Sequence, residues 1–205
     1  MHKSKIGMLL AVALTVAAPA VAQRALPGTA DVSRVKAGNY VADPNHTQIA
    51  WTVSHLGFNL YNGIFGNATG TLTLDPAKPG ASSVSIDIPL AKVVTTRDGL
   101  TTHLQGPDFF EVAKYPTATF RSTSVTVKGT TAKIAGNLTI RGITKPIVLD
   151  ARFVGAGLNP RNKKETVGFE ATGRVTRTDF GILYGLGEVG EQVDLRITVG
   201  FEKVS

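Results

Sequence analysis

Histidines are the residues of this sequence best suited to acid–base chemistry or metal binding, and four occur in 205 residues. His46 and His55 lie nine residues apart in 46–55, a segment that alternates apolar and polar side chains. An odd separation along a regular strand turns two side chains to opposite faces, so this pair cannot share a metal ion. His55 shares a face with Trp51 and Val53. It is interpreted either as an interior histidine hydrogen-bonded to a neighbour or as a polar anchor for a ligand.

The other histidines have less chemical context. His46 follows Asp43-Pro44-Asn45 and is predicted to cap a strand from a turn. His103 lies in 98–113, a stretch with helical character, either on the surface or at the rim of a pocket. No paired carboxylate or nucleophile shares a face with a histidine. The sequence therefore predicts a protein that is not an enzyme, with no catalytic residue and no metal site.

Sequence motifs for common chemistries are missing or misplaced. The chain has no cysteine, which excludes disulfides, thiolate metal sites, iron–sulfur clusters and a cysteine nucleophile. It contains neither Gly-x-Ser-x-Gly nor His-Glu-x-x-His. Residues 185–190 (GLGEVG) match the dinucleotide-binding pattern, but a strand, 193–201, follows where that pattern needs a helix. The match is therefore interpreted as a glycine-rich loop.

The first 22 residues have the organisation of a secretory signal peptide. A short basic start precedes the apolar run 6–18, and an A-V-A triplet at 20–22 offers a small-x-small cleavage site. The run is shorter than the ~20 residues that a membrane span needs. Residues 1–22 are therefore predicted to be a cleaved signal peptide. Residues 23–38 lack periodicity and are predicted to be a flexible N-terminal segment.

Basic residues exceed acidic ones without forming a stripe. The formal net charge is +7, and removal of the leader leaves 20 Lys and Arg against 15 Asp and Glu. The basic residues are dispersed, except for a short cluster at Arg161, Lys163 and Lys164. Nucleic-acid recognition needs a concentrated basic patch, so no nucleic-acid partner is expected. A transient contact with an anionic membrane surface stays open.

From residue 39 onward, apolar and polar side chains alternate between turn signals such as 75–80 (DPAKPG). Residues 192–201 show the pattern most fully, with an apolar side chain at every odd position. In 117–128 the apolar phase slips between Phe120 and Val125, which indicates a β-bulge. About eight strands with almost no helix predict an all-β fold, either a closed barrel or a sandwich.

The face that such a barrel buries decides what it can do. Outer-membrane barrels turn apolar residues outward and carry aromatic girdles at both membrane interfaces. This chain has one Trp and four Tyr, and several of its nine Phe residues lie in the middle of segments or in 109–120. The other face carries mostly Ser, Thr, Asn, Lys and Asp, which suits bulk water. The sequence therefore predicts an inward apolar face and a lumen just wide enough for one ligand.

Five segments, by their order and spacing, resemble the YceI-like family, the polyisoprenoid-binding proteins of the bacterial periplasm. They are Asp43-x-x-His46; Val53-Ser54-His55-Leu56-Gly57 with Gly63-x-Phe65; His103-Leu104 before Asp108-Phe109-Phe110; Lys114-Tyr115-Pro116-x-Ala118-Thr119-Phe120 with Ser122-Thr123; and Leu138-Thr139-Ile140-x-Gly142-x-Thr144-Lys145-Pro146. Gly168-Phe169 and Arg177-x-Asp179-Phe180-Gly181 add to the likeness, which covers roughly residues 39–203.

The resemblance implies an all-β fold: an extended eight-stranded antiparallel barrel, lipocalin-like, with one or two short helices near residues 98–113. It implies that residues 39–205 form a lipid-binding barrel domain located in the periplasm. The expected ligand is a long-chain isoprenoid lipid, polyprenyl or quinone-type, bound in the lumen for transport, storage or stress response. No other cofactor is expected, and a homodimer stays open.

The residues expected to contact the lipid are inward-facing positions of the strands, Phe residues that plug or gate an end, and His55. They are Ile49, Trp51, Val53, His55, Leu72, Leu74, Ile86, Ile88, Phe109, Phe110, Phe120, Leu138, Ile140, Phe169, Phe180, Leu195 and Ile197. Each buried CH₂ contributes ~0.8 kcal/mol, so few polar contacts are needed. Two other interpretations stay open. One is a stress or interaction protein whose barrel is filled by its own side chains; the other is an enzyme acting on an isoprenoid head group through His55 or His103.

Overall fold

The computed structural model describes residues 25–204, which form a β-barrel with one α-helix. The strands are β1 (Gly38–Ala42), β2 (Gln48–His55), β3 (Asn59–Phe65), β4 (Thr69–Leu74), β5 (Ser83–Pro89), β6 (Val93–Val94), β7 (Thr117–Lys128), β8 (Thr131–Ile140), β9 (Ile143–Leu158), β10 (Glu165–Thr176) and β11 (Val189–Lys203). The helix α1 spans Asp98–Gln105, and 3-10 helices span Val32–Arg34, Pro79–Ala81, Leu90–Lys92 and Arg177–Phe180. The predicted signal peptide, 1–22, lies outside the described residues.

The barrel closes with eight antiparallel strand positions because three of these positions consist of two short strands each. β1 and β2 follow one another along the same edge of β11, β3 and β4 lie beside them, and β5 and β6 complete the third broken position. From there β7, β8, β9, β10 and β11 pair in chain order back to the start. The predicted eight-stranded antiparallel barrel is confirmed, and the helical stretch provides one α-helix.

The alternating sequence places apolar side chains inside the barrel. In β11, Leu195 and Ile197 face the interior cavity, whereas Asp194 and Arg196, which alternate with them, are exposed. The same phase in β2 buries Ile49, which is 6% exposed. Because a strand turns successive side chains to opposite faces, the period-two pattern fixes this orientation locally. The inward apolar face expected from the sequence is confirmed.

A bulge in β7 restores the apolar phase that slips in the sequence. The register between β7 and β8 shifts between Ser122 and Ser124. Phe120 and Val125 lie five positions apart, which would turn them to opposite faces of a regular strand, yet both line the interior because the extra residue reverses the alternation. The bulge predicted for 117–128 is therefore confirmed.

The connection before β11 is a glycine-rich loop held by one buried arginine. Arg177 is 6% exposed and donates from Nη1 to the carbonyl oxygens of Ile182 and Tyr184, 2.8 Å from each. Its Nη2 donates to the carbonyl of Val189 at 2.8 Å. Burial lowers the pKa of the Arg177 guanidinium below its ordinary value. The backbone carbonyls nevertheless accept hydrogen bonds from the buried group. Residues 185–190 turn directly into β11, as expected for a loop rather than a dinucleotide site.

Candidate functional site

An apolar cavity of about 370 Å³ runs inside the barrel. Every wall position contributes aliphatic or phenyl side chains to it. Representative lining residues are Ile49, Leu72, Ile86, Phe120, Ile134, Leu149, Phe169 and Ile197. The volume lies within the range of about 300–1,000 Å³ that is typical of small-molecule sites. Water gains few hydrogen bonds in such a space, so the cavity favours hydrocarbon over water.

The cavity opens at one end of the barrel, here called the mouth. The mouth is formed by the β4–β5 connection (75–82), the β7–β8 turn with its flanking residues (128–131) and the N-terminal segment. Lining residues at this end reach solvent: Val32 is 53% exposed and Val127 is 38% exposed. A ligand can therefore enter along the barrel axis without crossing the wall.

The opposite end is closed by a buried cluster, here called the plug. Its members come from β2, β3, the 90–112 segment and the loop after β10: Trp51, Val53, Phe65, Leu90, Val93, Leu104, Phe109 and Ile182. Trp51 packs directly over the backbone of Gly63, where an added Cβ would lie 2.2 Å from the indole ring. Its indole Nε1–H is buried without a hydrogen-bond partner in the described structure.

Ten of the seventeen predicted contact residues lie on the cavity wall. They are Ile49, Leu72, Leu74, Ile86, Ile88, Phe120, Leu138, Phe169, Leu195 and Ile197. They come from seven of the eight wall positions, and the structure therefore brings together residues far apart in the sequence.

The other seven predicted residues do not line the cavity. Trp51, Val53 and Phe109 belong to the plug, and Phe110 and Ile140 pack against it. Phe180 is 1% exposed and packs in a neighbouring core cluster. His55 is half-buried at the plugged end, and its ring forms an edge-to-face pair with that of Tyr61 at a centroid distance of 6.5 Å. Side-chain alternation indicates the face but not the height along the barrel axis, and these residues lie at the height that the plug fills.

The sequence reasoning left out several lining residues. The larger apolar ones on strands are Val84, Val125, Val127, Ile134, Ile147, Leu149, Phe153, Val199 and Phe201. Most of them share the apolar–polar alternation of neighbouring residues that were predicted to line the cavity, so this alternation could have identified them. Val32 and Val35 had no such signal, because they lie in 23–38, which lacks periodicity.

The N-terminal segment, residues 25–37, forms a strap beside the mouth. Thr29 exchanges two backbone hydrogen bonds with Ala156, at 3.2 and 2.9 Å. Arg34 Nη1 donates to Thr29 Oγ1 and to the Pro27 carbonyl, each at 3.1 Å. An added Cβ on Gly157 would lie 2.4 Å from the Pro27 carbonyl oxygen, so glycine permits the close approach. The part of the predicted flexible segment that the structure describes thus contacts β9.

Few polar side chains line the cavity. Among the lining residues, Arg152 alone carries a charge, and its guanidinium pairs with Glu170 at 2.7 Å. Both side chains lie on strand positions that alternate with inward-facing Ala151 and Phe169. The hydroxyl of Thr47 is satisfied by donating to the Asp43 carbonyl at 2.7 Å. The cavity lining therefore suits an apolar chain rather than a charged group.

The three histidines within residues 25–204 lie away from the cavity wall. His46 Nδ1 lies 2.5 Å from Asp43 Oδ2 in the turn before β2. Burial raises the pKa of the Asp43 carboxyl, but hydrogen bonds from His46 and Asn45 outweigh burial and hold it below its ordinary value. His103 Nε2 lies 2.9 Å from Asp108 Oδ2, and its ring contacts Tyr184 at the plugged end.

Neither a metal cluster nor a helical membrane span is found in the described part of the chain. Within residues 25–204, no three His, Cys, Asp or Glu side chains are placed to hold a metal ion. No helix in this range is long and apolar enough to cross a membrane.

The architecture and cavity together define a lipocalin-like closed barrel with an apolar interior that opens at one end. Residues 40–201 match the family model of the YceI-like domain. Protein YceI of Escherichia coli is 37% identical over 199 residues, a match covering 97% of this chain and 97% of that protein. The chain therefore belongs to the YceI-like family, which confirms the resemblance drawn from its motifs.

Solved structures show the same fold at lower identity. BcnA of Burkholderia cenocepacia superposes with a TM-score of 0.69 at 20% identity, covering 78% of this chain and 98% of BcnA. A polyisoprenoid binding domain from Saccharophagus degradans superposes with a TM-score of 0.59 at 16% identity, covering 82% of this chain and 100% of that domain.

Proposed function

We propose that the protein binds one long-chain isoprenoid lipid, polyprenyl or quinone-type, inside the barrel. The observation that carries the proposal is the apolar cavity of about 370 Å³, lined from every wall position and open at the mouth. Each CH₂ buried there contributes ~0.8 kcal/mol, so an isoprenoid chain gains affinity without polar contacts, after the cost of ordering it. The barrel fold is compatible with such a ligand, since a domain of this fold is described as polyisoprenoid binding.

The proposed role is transport, storage or stress response in the periplasm, after removal of the leader. A lipid with a long prenyl chain is insoluble in water, and a closed barrel shields that chain between membranes. The leader pattern of residues 1–22 supports this location. N-terminal sequencing of the exported protein is expected to begin at Gln23.

Binding, rather than catalysis, fits the site best. His55 and His103 were the candidates for acid–base chemistry, and neither lines the cavity. A barrel filled by its own side chains is disfavoured by the open volume between the mouth and the plug.

Mass spectrometry of the lipid bound to the protein tests the proposal. The full-length chain is expressed with its leader, purified from the periplasm and extracted with organic solvent. We expect an isoprenoid lipid at about one molecule per chain, because the lumen of an eight-stranded barrel holds one small ligand. An unrelated periplasmic protein, purified through the same steps, is the control. An extract without isoprenoid, or with only the lipids of the control, would contradict the proposal.

A further inference from the structure

The two ends of the barrel differ in charge. The four segments around the mouth, here called the mouth loops, are 25–37, 75–82, 128–131 and 158–165. They carry seven Lys and Arg against three Asp and Glu, a net charge of +4. The segments around the plug (56–58, 90–116, 141–142 and 177–188) carry five of each sign. The excess of positive charge therefore surrounds the opening of the cavity.

Most of the mouth cations are available to an external partner. Within the described residues, five of them are exposed and form no ion pair: Lys36, Lys78, Lys128, Arg161 and Lys163. Lys164 differs, since its Nζ lies 3.1 Å from Glu202 Oε2. At the plugged end, Arg177 is buried and Arg141 pairs with Glu111.

Exposed apolar side chains stand among these cations. Leu26 is 80% exposed, Val32 is 53% exposed and Leu158 is 46% exposed. Val127, which lines the mouth and is 38% exposed, directly precedes Lys128. Cations with neighbouring apolar side chains match an anionic bilayer interface, where charge attracts lipid head groups and apolar groups reach below them.

We propose that the mouth loops dock the protein on an anionic phospholipid bilayer, with the cavity mouth facing the membrane. Each Lys or Arg near such a surface adds attraction, which salt screens. The orientation places the opening against the lipid phase, so an isoprenoid chain passes between bilayer and barrel without crossing water. The proposal extends the lipid-binding function. Its test measures docking rather than ligand content, so the two can fail separately.

A second exposed apolar patch makes the orientation testable. It lies at the plugged end and comprises Leu56, Phe58, Leu60, Leu183 and Leu186. Phe58 is 89% exposed. The segments that carry this patch lack a cationic excess, and the plug closes the barrel beneath it. Charge complementarity to an anionic surface therefore favours the mouth.

Vesicle flotation tests the docking surface. The purified protein is mixed with vesicles of phosphatidylglycerol and phosphatidylethanolamine, or of phosphatidylcholine alone, all without isoprenoid lipid. We expect flotation with the anionic vesicles only, and its loss at about 1 M salt, where the Debye length falls to about 3 Å. The double variant Lys78→Glu, Lys128→Glu is expected to bind at least about tenfold more weakly. The matched double variant Lys92→Glu, Lys114→Glu at the plugged end is expected to bind like the wild type.

A variant of the rival patch completes the design. Phe58→Ser with Leu60→Ser is expected to leave flotation unchanged, and circular dichroism checks that each variant keeps its barrel. Absence of flotation with anionic vesicles would overturn the proposal. So would equal binding to phosphatidylcholine, or binding that depends on Phe58 and Leu60 rather than on the mouth lysines.

Discussion

At the scale of single residues, Glu202 shows how one carboxylate fastens a connection near the mouth. Its Oε1 accepts hydrogen bonds from Asn162 at 2.6 Å and Asn159 at 3.3 Å, and Lys164 lies 3.1 Å from Oε2. The hydrogen bond from Asn162 lowers the pKa of Glu202; burial opposes it, and Lys164 adds to the lowering. The β9–β10 connection is thus tied to β11 through a charged group that is only 12% exposed.

This arrangement predicts a pH-dependent contribution to stability. Because the folded pKa of Glu202 lies below the unfolded value, its stabilisation is complete above that unfolded value and is lost as pH falls through the folded pKa. Glu202→Gln is expected to lower the free energy of unfolding by about 1–2 kcal/mol at pH 7. The difference should shrink below about pH 4. Urea unfolding at a series of pH values measures it.

The exposed Glu188 provides the control for this prediction. Glu188→Gln is expected to change stability by less than about 0.5 kcal/mol at every pH. A Glu202→Gln deficit that stays constant or grows on acidification would show that the carboxylate charge is not responsible.

At the scale of elements, the strap depends on a close approach of two backbones. Thr29 bonds to Ala156, and Gly157 lies against Pro27 and the Arg34 guanidinium. The strap contributes Val32 and Val35 to the cavity wall, so its attachment sets part of the shape of the mouth. A side chain on Gly157 would require this contact to open.

Gly157→Ala is therefore expected to detach the strap while the barrel stays folded. Its Cβ would lie 2.4 Å from the Pro27 carbonyl oxygen and 3.1 Å from Arg34 Nη2. Hydrogen exchange of the Thr29 amide, which donates to Ala156, is expected to accelerate at least about tenfold, as in local opening. Gly200→Ala is the control, because no atom lies within 4 Å of its added Cβ. Unchanged exchange at Thr29 in Gly157→Ala would contradict this role of the glycine.

Elements also show what the sequence could and could not predict. Period-two alternation is a local property, so the strands, the inward face and the bulge of β7 could be predicted. Phe109 and Phe110 were expected to plug or gate an end, but the plug as a whole could not be predicted, because its position depends on which barrel end the 90–116 segment covers. Trp51 and Ile49 share one face of β2, but Ile49 reaches the cavity and Trp51 the plug. The depth of each residue depends on tertiary packing rather than on alternation.

At the scale of the whole molecule, the two ends of the barrel differ in structure and in charge. The plug closes one end with packed side chains, and the mouth opens the other end among exposed cations. In the part of the chain that the structure describes, the barrel interior has no unpaired charge, and its opening is surrounded by cations. This combination suits an apolar ligand that is taken up from a membrane. Composition alone did not indicate this asymmetry, because the basic residues are dispersed in sequence and the fold gathers them.

Filling the lumen tests the central claim most directly. Ile134 lines the cavity on β8, and its neighbour Lys133 is exposed on the outer face. Ile134→Trp is expected to occupy the space of the chain, whereas Lys133→Trp places the same indole outside and gives up only a surface ion pair with Asp150. Bound isoprenoid per chain is measured by mass spectrometry on both variants made in the same cells. We predict that Lys133→Trp retains the wild-type amount and that Ile134→Trp loses most of it; equal amounts in two folded variants would contradict a ligand inside the barrel.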